Sequence, residues 1–463
     1  MSHLSEILLI NPPSIKEKTE NIQPIPYGLL SIKLYLEQKY FQADILNFSS
    51  VTNWEKISKK LQNVQQYKII GITCYTRQRF SVLELCKLCK KLSPTSKIVL
   101  GGPHVSFLDE TYLLAYSDIV DFIIRGEGEV PFHQLVSVII NGENTLDQID
   151  GLSYHSDGRI IRNEVSCKIA EMDTFPIVTY SLDDLRELNK SQSIVFHFDG
   201  EANELIAPIM ASRGCNGACS FCCNKAFWGE QRYFSRDKLL AQVEHYYSLG
   251  IRLFDIYDDN FPNNKDFLKA FCTEIIKKRL DIGWWCSSRI DALDEDIIPL
   301  MKKAGCFLIS FGLESGSQII LDNLNKKLNL SDHMHVFEWV KASDIDLRVT
   351  ISIGHCGESH NTITETITAL KHIKPNQVAT YLLKVYPGTP LYDIFCKQGC
   401  IEDKYWLDYE KNIVPFFTYE HSIEDLQAYQ DMIVDSLRQN ISSSCHDELD
   451  SVELKLLWKD SLQ

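Results

Sequence analysis

Short apolar runs alternate with longer amphipathic segments twice along the 463 residues of this chain, which predicts an α/β fold. In the first stretch, from residue 6 to about residue 140, the strand candidates are Ile7–Ile10, Ala43–Asn47, Lys68–Thr73, Lys97–Leu100 and Ile119–Ile124. Their order predicts an N-terminal doubly wound domain of Rossmann or flavodoxin type over residues 1–148. Such domains bind ligands beyond the carboxyl ends of their parallel strands.

A second alternation, from residue 205 to about residue 395, predicts a partial (β/α)6 barrel of TIM type. Its strand candidates are Leu205–Ala211, Leu253–Tyr257, Gly283–Cys286, Phe307–Phe311, Arg348–Ile353 and Gln377–Leu383. Barrels of this kind carry their chemistry at the carboxyl ends of the strands. Residues 149–204 are expected to form a linker that contains a β-hairpin. Residues 396–463 are expected to form a mainly helical C-terminal extension.

Three cysteines lie in one loop directly after the first predicted barrel strand, at Cys215, Cys219 and Cys222, with the spacing CxxxCxxC. Three thiolates can bind three irons of a [4Fe–4S] cluster and leave the fourth iron open for a small molecule. Zinc is an alternative, with Cys223 as a fourth ligand, but adjacent cysteines fit a tetrahedral site poorly. A disulfide is a further alternative.

Composition restricts the class of partner. The formal net charge of -15 disfavours a sequence-independent nucleic-acid binder, which would present a basic face. No apolar run approaches the length of a membrane span, and the N-terminus lacks the basic flank of a signal peptide. We therefore expect a cytoplasmic protein whose 15 cysteines are reduced.

The cysteine loop resembles that of the radical S-adenosylmethionine (SAM) superfamily, over about residues 205–395. The resemblance implies that SAM chelates the open iron through its methionyl amine and carboxylate. One electron from the cluster then breaks a C–S bond, and the resulting 5′-deoxyadenosyl radical takes a hydrogen atom from the substrate. Phe221, inside the motif, matches an aromatic residue that lies near adenine in that family.

Further strand ends match the same superfamily less tightly. Asp258 and Asp259 are candidates for the methionyl amine, and Arg289 for its carboxylate; the alternatives are a helix-capping loop and a surface ion pair. The remaining candidates lie on the fourth and fifth strands: Glu314 and Ser315 for the ribose, Gly354 for SAM, and His355 and Cys356 as catalytic acid or hydrogen donor. An inert cysteine is the alternative for Cys356.

The N-terminal region resembles the cobalamin-binding domain of one branch of this superfamily. The predicted cobalamin-binding residues are Asn11, Pro12, Tyr27, Gly28, Thr73, Gly101, Gly102, His104, Gly126 and Glu127. The Asp-x-His-x-x-Gly motif that places a histidine on cobalt in mutase-type domains is absent, and residues 11–25 contain no histidine. We expect cobalamin without a protein histidine on cobalt; His104 is either an axial ligand or a hydrogen-bonding loop residue.

Together, the two resemblances imply a cobalamin-dependent radical SAM enzyme, with C-methylation of an unactivated carbon as the leading hypothesis. One SAM molecule would methylate the cobalt and a second would supply the radical. Radical cyclisation, oxidation or rearrangement without methyl transfer is the alternative, as in the anaerobic magnesium-protoporphyrin cyclase. A non-catalytic iron–sulfur or zinc protein is an alternative of another class. The expected partners are a small-molecule or peptide substrate and an external electron donor of flavodoxin or ferredoxin type.

Overall fold

A computed structural model describes residues 5–13, 26–49, 51, 53–143, 145–165, 171–191, 205–261, 264–411 and 420–444. The first domain contains the strands β1 (Ile7–Asn11), β2 (Ala43–Asn47), β3 (Ile69–Thr73), β4 (Lys97–Gly101), β5 (Phe122–Ile124), β6 (Leu152–Ser156) and β7 (Arg159–Arg162). Its helices are α1 (Tyr27–Gln38), α2 (Trp54–Lys60), α3 (Arg79–Leu92), α4 (Pro103–Ser106), α5 (Asp109–Tyr116) and α6 (Glu129–Asn141).

These strands form one seven-stranded sheet in the order β2-β1-β3-β4-β5-β6-β7. The first five strands are parallel, as expected for strands connected by helices. The hairpin β6–β7, which the sequence predicts in the linker, pairs antiparallel with β5 and extends this sheet. Without the hairpin, β5, which has only three residues, would be an edge strand with unpaired backbone groups, and β6 supplies hydrogen-bond partners for these groups. We therefore place the end of the first domain after β7.

A second sheet of six parallel strands has the order β15-β14-β13-β12-β11-β8 and is open between its two edge strands. After α7 (Leu182–Ser191), its strands are β8 (Ile206–Ile209), β11 (Leu253–Ile256), β12 (Gly283–Ser288), β13 (Cys306–Glu314), β14 (Asp346–Ile353) and β15 (Gln377–Leu382). The short strands β9 (Ser212–Arg213) and β10 (Arg232–Tyr233) pair with each other. The prediction of a partial barrel after a doubly wound domain is confirmed.

Helices cover the outside of this barrel. The short helix α8 (Asn224–Trp228) lies in the loop that connects β9 to β10, and the covering helices are α9 (Arg236–Ser248), α10 (Lys265–Lys278), α11 (Ile298–Lys303), α12 (Gln318–Asn323), α13 (Leu330–Ala342) and α14 (His360–Ile373). Ser235 directly precedes an amphipathic run and is predicted from the sequence to be the N-cap of a helix over Asp237–Leu249. The prediction is confirmed, because the Ser235 side chain accepts a hydrogen bond from the Lys238 amide at the start of α9. Ser331 is predicted in the same way to cap a helix over Asp332–Ala342, but this prediction is wrong, because α13 begins two residues earlier, after Asn329.

The C-terminal segment packs against both domains through α15 (Pro390–Lys397) and α16 (Ile423–Ser444). Trp406 is fully buried in the core of the first domain, and its Nε1 donates to Tyr392 Oη at 3.0 Å. On α16, Gln430 Nε2 donates to Thr380 Oγ1 at 2.9 Å and covers the outer face of the edge strand β15. Among the described residues, no helix has both the length and the apolarity of a bilayer span.

Candidate active site between the two sheets

The cysteine loop lies at the carboxyl end of β8 and connects β9 to β10. Gly214 enters it with a φ of +87°, and a Cβ there would stand 3.1 Å from Trp228 Cβ, so this turn requires glycine. The Gly217 amide donates to Cys215 Sγ at 3.3 Å. A Cβ on Gly217 would lie 3.3 Å from Cys215 Sγ and 3.8 Å from Cys219 Sγ. The first two thiols therefore border the same small volume.

Burial raises the pKa of two of the loop thiols, and neighbouring donors and cations oppose part of this rise. Burial raises the pKa of Cys222 to about 12, and the Asn224 amide that donates to its Sγ at 3.5 Å opposes this rise. Burial also raises the pKa of Cys219, against the opposing charges of Lys326 and Arg289. Amide donors and cations favour the thiolate, the form in which cysteine binds iron.

The three thiols fit a [4Fe–4S] cluster better than a single metal ion. In the described ranges, no three His, Cys, Asp or Glu side chains converge closely enough to bind one ion. A cluster does not require such convergence, because each cysteine binds a different iron. Cys215, Cys219 and Cys222 therefore present a donor set suited to a cluster, and the zinc alternative has no site among the described residues.

A segment after α12 holds the cysteine loop from the barrel side. The amide of Ser220 donates to the Leu324 carbonyl at 2.8 Å, and Asn325 Nδ2 donates to the Ala218 carbonyl at 2.8 Å. The carbonyl of Ser220 in turn accepts from the Leu391 amide at 2.9 Å. Three hydrogen bonds to backbone groups of the loop thus hold it in place.

Glu314, predicted for the ribose, lies next to a buried lysine that the sequence did not reveal. Lys326 is 6% exposed, and its Nζ lies 3.0 Å from Glu314 Oε1. Glu314 has a φ of +68°, and a Cβ on Gly312 would stand 2.6 Å from its Oε1. Only glycine at residue 312 therefore lets this carboxylate fold back onto Lys326.

Arg289 lies beside the cysteine loop, as the prediction of a carboxylate-binding role requires. Its guanidinium is bidentate on Asp291, and its Nη2 also donates to the Lys326 carbonyl at 3.0 Å. Its Nη1 would stand 3.4 Å from a Cβ on Gly217 and makes no hydrogen bond to a described residue. One edge of the guanidinium is thus available to bind an anion at the loop.

The two acids after β11 have different surroundings. Asp258 is buried, accepts from the Ala211 amide at 2.8 Å and from Ser212 Oγ at 2.6 Å, and so fixes the entry to the cysteine loop. Burial raises its pKa to about 7. Asp259 is exposed and pairs with Asn224. Asp259 is the acid that remains accessible to a ligand amine, whereas both carboxylate oxygens of Asp258 are occupied.

Two more predicted SAM residues are part of the barrel packing. Ser315 is buried, and its Oγ lies 3.2 Å from Thr366 Oγ1. The same Oγ accepts a hydrogen bond from the Ser317 amide at 3.2 Å. Gly354 has a φ of +105°, and its amide donates to the Glu358 carboxylate. Ser315 therefore shapes the end of β13, while Gly354 makes the turn after β14.

Phe221 and His355 face each other, with ring centroids 5.7 Å apart. His355 is 1% exposed, and neither ring nitrogen has a well-formed hydrogen bond to a described residue, although the Ser352 backbone is close. Burial lowers its pKa to about 3, so the ring is neutral at physiological pH. Cys356 is instead exposed near Glu420 and lies apart from this pair.

A cavity of about 700 Å³ separates the strand ends of the first sheet from the cysteine loop. Seven of the predicted cobalamin-binding residues line it: Tyr27, Gly28, Thr73, Gly101, Gly102, Gly126 and Glu127. The opposite wall comes from the barrel domain and includes Met210, Arg213, Cys223, Trp228 and Tyr257. The sequence missed this second wall, because no local pattern tells which barrel residues will face another domain.

The other three predicted cobalamin-binding residues, Asn11, Pro12 and His104, do not line the cavity. Asn11 Nδ2 donates to Asn47 at 2.8 Å, and Pro12 accepts from Gln78 at 3.0 Å. His104 is 1% exposed, with Nδ1 3.2 Å from Thr76 Oγ1 and Nε2 3.0 Å from Tyr112 Oη. Both ring nitrogens are occupied, so His104 is a hydrogen-bonding loop residue rather than a cobalt ligand.

The cavity wall suits a large planar cofactor. A Cβ on Gly28 would meet no atom within 4 Å, so bare backbone borders open space there. Gly126 has a φ of +77° that other residues rarely adopt, and Gly102 has a φ of +101°, where an added Cβ would lie 3.0 Å from the Cys74 backbone. No histidine is among the described residues that line the cavity. These residues fit cobalamin bound without a protein histidine on cobalt.

A buried ion-pair network connects the two walls. Arg213 is 3% exposed; its Nη1 donates to Glu127 at 2.8 Å and its Nη2 to Glu129 at 2.6 Å. Glu127 also pairs with Arg232 at 2.8 Å, and Ser31 donates to Glu129 at 2.5 Å. Arg213 precedes Cys215 by two residues, so the glycine-rich loop of the first domain is tied directly to the cysteine loop.

Comparison with known proteins agrees with both halves of this site. The family model described as Radical SAM superfamily matches residues 209–370, and the B12 binding domain matches residues 22–136. An uncharacterized methyltransferase of Pyrococcus horikoshii is 27% identical over 421 residues, which cover 90% of this chain and 88% of that protein. The anaerobic magnesium-protoporphyrin IX monomethyl ester cyclase of Synechocystis is 25% identical, covering 88% of this chain and 81% of that protein.

Among solved structures, the radical SAM methyltransferase TsrM from Kitasatospora setae, with cobalamin and a [4Fe–4S] cluster bound, has a TM-score of 0.71. The match covers 85% of this chain and 78% of that one at 17% identity, and so shows a shared fold. The two domain matches lie in the same order as the two sheets described above. This chain belongs to the radical SAM enzymes that carry a B12-binding domain, with a [4Fe–4S] cluster, SAM and cobalamin as cofactors.

Proposed function

We propose that this enzyme methylates an unactivated carbon of a small molecule, with cobalamin as methyl carrier. The observation that carries the proposal is the shared cavity. Its first wall is the glycine-rich strand ends, and its second wall begins at Cys223 and Asn224, directly after the last cluster cysteine. Because this second wall continues directly from the cysteine loop, a methyl carrier in the cavity and a radical source at the loop can act on the same carbon atom.

The protein residues supply binding, orientation and exclusion of water. When bound, the cluster and SAM supply a one-electron cleavage of a C–S bond, and cobalamin supplies a transferable methyl group. Arg289 and Asp259 are the groups we assign to the methionyl carboxylate and amine, Glu314 with Lys326 to the ribose, and Phe221 with His355 to the adenine side. The neutral His355 ring has two nitrogens without well-formed hydrogen bonds to described residues, and these can serve a heterocycle.

Water exclusion follows from the aromatic wall of the cavity. Phe227 and Trp228 pack edge to face with centroids 4.8 Å apart, and Phe107 meets Phe227 at 6.4 Å. A reactive carbon intermediate requires exclusion of water, and this aromatic packing would contribute to that exclusion. Radical SAM enzymes also require an external electron donor, and we propose a flavodoxin or ferredoxin type for this one.

An anaerobic assay of the reconstituted enzyme tests the proposal. Methyl transfer with radical chemistry predicts 5′-deoxyadenosine and S-adenosylhomocysteine in equal amounts, and Cys219→Ala abolishes the former. Cys400→Ala is the matched control, because Cys400 is exposed and distant from the cysteine loop in sequence. Production of 5′-deoxyadenosine without S-adenosylhomocysteine contradicts methyl transfer.

Radical cyclisation or oxidation without methyl transfer is the second candidate, favoured by the similarity to the Synechocystis cyclase. The same assay separates the two, because this candidate predicts 5′-deoxyadenosine alone.

A further inference from the structure

Three polar or aromatic side chains point into the barrel, below the cofactor-binding strand ends. On β14, Leu347 and Val349 belong to the outer core, so Arg348 between them faces the interior. The same alternation turns Asp255 inward from β11 and Trp285 inward from β12, because their neighbours along each strand lie in the outer core. A buried arginine and a buried aspartate therefore share the barrel interior.

Arg348 has a hydrogen-bonding edge without a partner among the described residues. It is 5% exposed, its Nε donates to Gln377 Oε1 at 2.8 Å, and its guanidinium lies 5.3 Å from the Trp285 ring centroid. Its Nη2 is fully buried and makes no hydrogen bond within the described part of the chain. Buried donors without partners are rare and costly, and a planar guanidinium matches a carboxylate in geometry. The unpaired edge is therefore chemically suited to a carboxylate or another planar anion.

Asp255 is the complementary group. It is 7% exposed and makes neither a hydrogen bond nor an ion pair with any described residue. Burial raises the pKa of Asp255 to about 7, and the positive charge of Arg348 opposes part of that rise. The two side chains therefore interact electrostatically, although they are not in direct contact. Two buried opposite charges that do not touch are unfavourable, unless a third group bridges them.

Two exposed tyrosines border the space between the barrel interior and the cofactor cavity. Thr380 of β15 bonds outward to Gln430, so Tyr381 next to it faces inward, and this residue is 58% exposed. Tyr257, two residues after Asp255, is 61% exposed and lines the cofactor cavity. A ligand that bridges Asp255 and Arg348 can therefore extend toward the cavity past Tyr257.

We infer that the barrel interior binds a zwitterionic substrate of the amino-acid class, with its carboxylate on Arg348 Nη2 and its ammonium on Asp255. This inference rests on the proposed function, since it names the substrate class of the same enzyme. A purely anionic substrate leaves Asp255 unpaired, and a cationic one leaves Arg348 unpaired. Only a ligand with both charges satisfies both side chains.

Binding of defined probes tests the inference independently of turnover. The holoenzyme, without SAM, is titrated anaerobically by calorimetry with the twenty free L-amino acids, and the tightest of these is compared with its N-acetyl and carboxamide derivatives. We expect blocking of either end to weaken binding on the order of tenfold or more, because each block removes a charge-assisted hydrogen bond. Arg348→Met should abolish the discrimination against the carboxamide, and Asp255→Asn the discrimination against the N-acetyl form.

Controls separate a binding defect from a folding defect. Arg348→Lys keeps the charge but loses the planar edge, so it should bind weakly while it retains the cofactor absorption bands of the wild type. Arg252→Met is the matched control, since Arg252 also lies over an aromatic ring, Tyr247, at 3.7 Å but outside the barrel interior. Wild-type binding is expected for this control.

Three results overturn the inference: no amino acid binds, the blocked forms bind as well as the free one, or inorganic phosphate binds through Arg348 regardless of Asp255. Failure of the proposed function gives a different pattern, in which the amino acid binds with this discrimination but SAM is not converted to S-adenosylhomocysteine in its presence.

Discussion

Arg213→Met should destabilise the enzyme strongly, because Arg213 is the main counter-charge of a buried carboxylate in another domain. Burial raises the pKa of Glu129, but the charge and hydrogen bonds of Arg213, with the hydrogen bond from Ser31, outweigh burial and hold that pKa below its usual range. Glu127 keeps a second cation, Arg232, after the substitution, whereas Glu129 keeps only Ser31 among the described side chains. The variant therefore contains one uncompensated buried charge.

The magnitude follows from that single orphaned carboxylate. Removal of one partner of a buried ion pair typically costs about 3–5 kcal/mol. Replacing Glu129 by Gln in the same chain removes the orphaned charge, so Arg213→Met/Glu129→Gln should recover roughly 1–3 kcal/mol, the usual coupling of residues in one network. Anaerobic urea denaturation, followed by tryptophan fluorescence, measures the free energy of unfolding for wild type, both single variants and the double variant.

Arg236→Met provides the control, since its pair with Asp237 is exposed and makes no connection between domains. Its denaturation midpoint should match that of the wild type. The reasoning is refuted if Arg213→Met unfolds like this control, or if the double variant is no more stable than Arg213→Met alone. Either result would mean that the carboxylate of Glu129 finds water or another cation when Arg213 is absent.

Three further predictions address single positions. Lys326→Met leaves Glu314 without its cation and should weaken SAM binding on the order of tenfold or more, measured by equilibrium dialysis, with Lys327→Met as control. Gly305→Ala should reduce the soluble yield and the melting temperature severely, because its Cβ would lie 1.9 Å from the Ile282 carbonyl oxygen at a φ of +93°. Asp255→Asn should gain stability over the wild type as pH rises from 5.5 to 8, by about 2 kcal/mol; an equal gain at both pH values contradicts this.

The sign of the Asp255 prediction follows from proton binding. Burial raises the folded-state pKa of Asp255 from 3.8 to about 7. Between these values the folded state binds a proton that the unfolded state lacks, so the wild type loses stability as pH rises through that window. An amide does not titrate, and the difference between the two melting curves therefore isolates this one carboxyl group.

Local sequence patterns predicted those parts of the molecule that depend on neighbouring residues. The strand order and the cysteine loop after the first barrel strand follow from periodicity and spacing within short windows. Ser235 as the cap of α9 is of the same kind, because a cap and its partner are three residues apart. Phe221 and Arg289 could be named for the same reason: each stands at a strand end or within the motif itself.

Contacts between distant segments could not be predicted in this way. Lys326 follows a short helix, and no sequence pattern marks it as a site residue. The only related sequence feature is Gly312, whose lack of a side chain leaves room for the Glu314 carboxylate to reach Lys326. The sequence predicts His104 as a cobalamin-binding residue because it lies close after Gly101 and Gly102, which do line the cavity. The one-turn helix α4 instead directs its ring toward Tyr112, away from the cavity.

The loop of residues 125–129 has two tasks, and its composition reflects both. Gly126 and Gly128 bring bare backbone to the cavity, where a side chain at Gly128 would also meet Ile32 at 2.8 Å. Glu127 and Glu129, alternating with these glycines, extend to Arg213 and hence to the cysteine loop. Because residues 126–129 both border the cavity and anchor the cysteine loop, a shift of this loop must displace Arg213 or break two charge-assisted hydrogen bonds. The sites that we propose for cobalamin and for the cluster are therefore mechanically coupled, because two domains build them together.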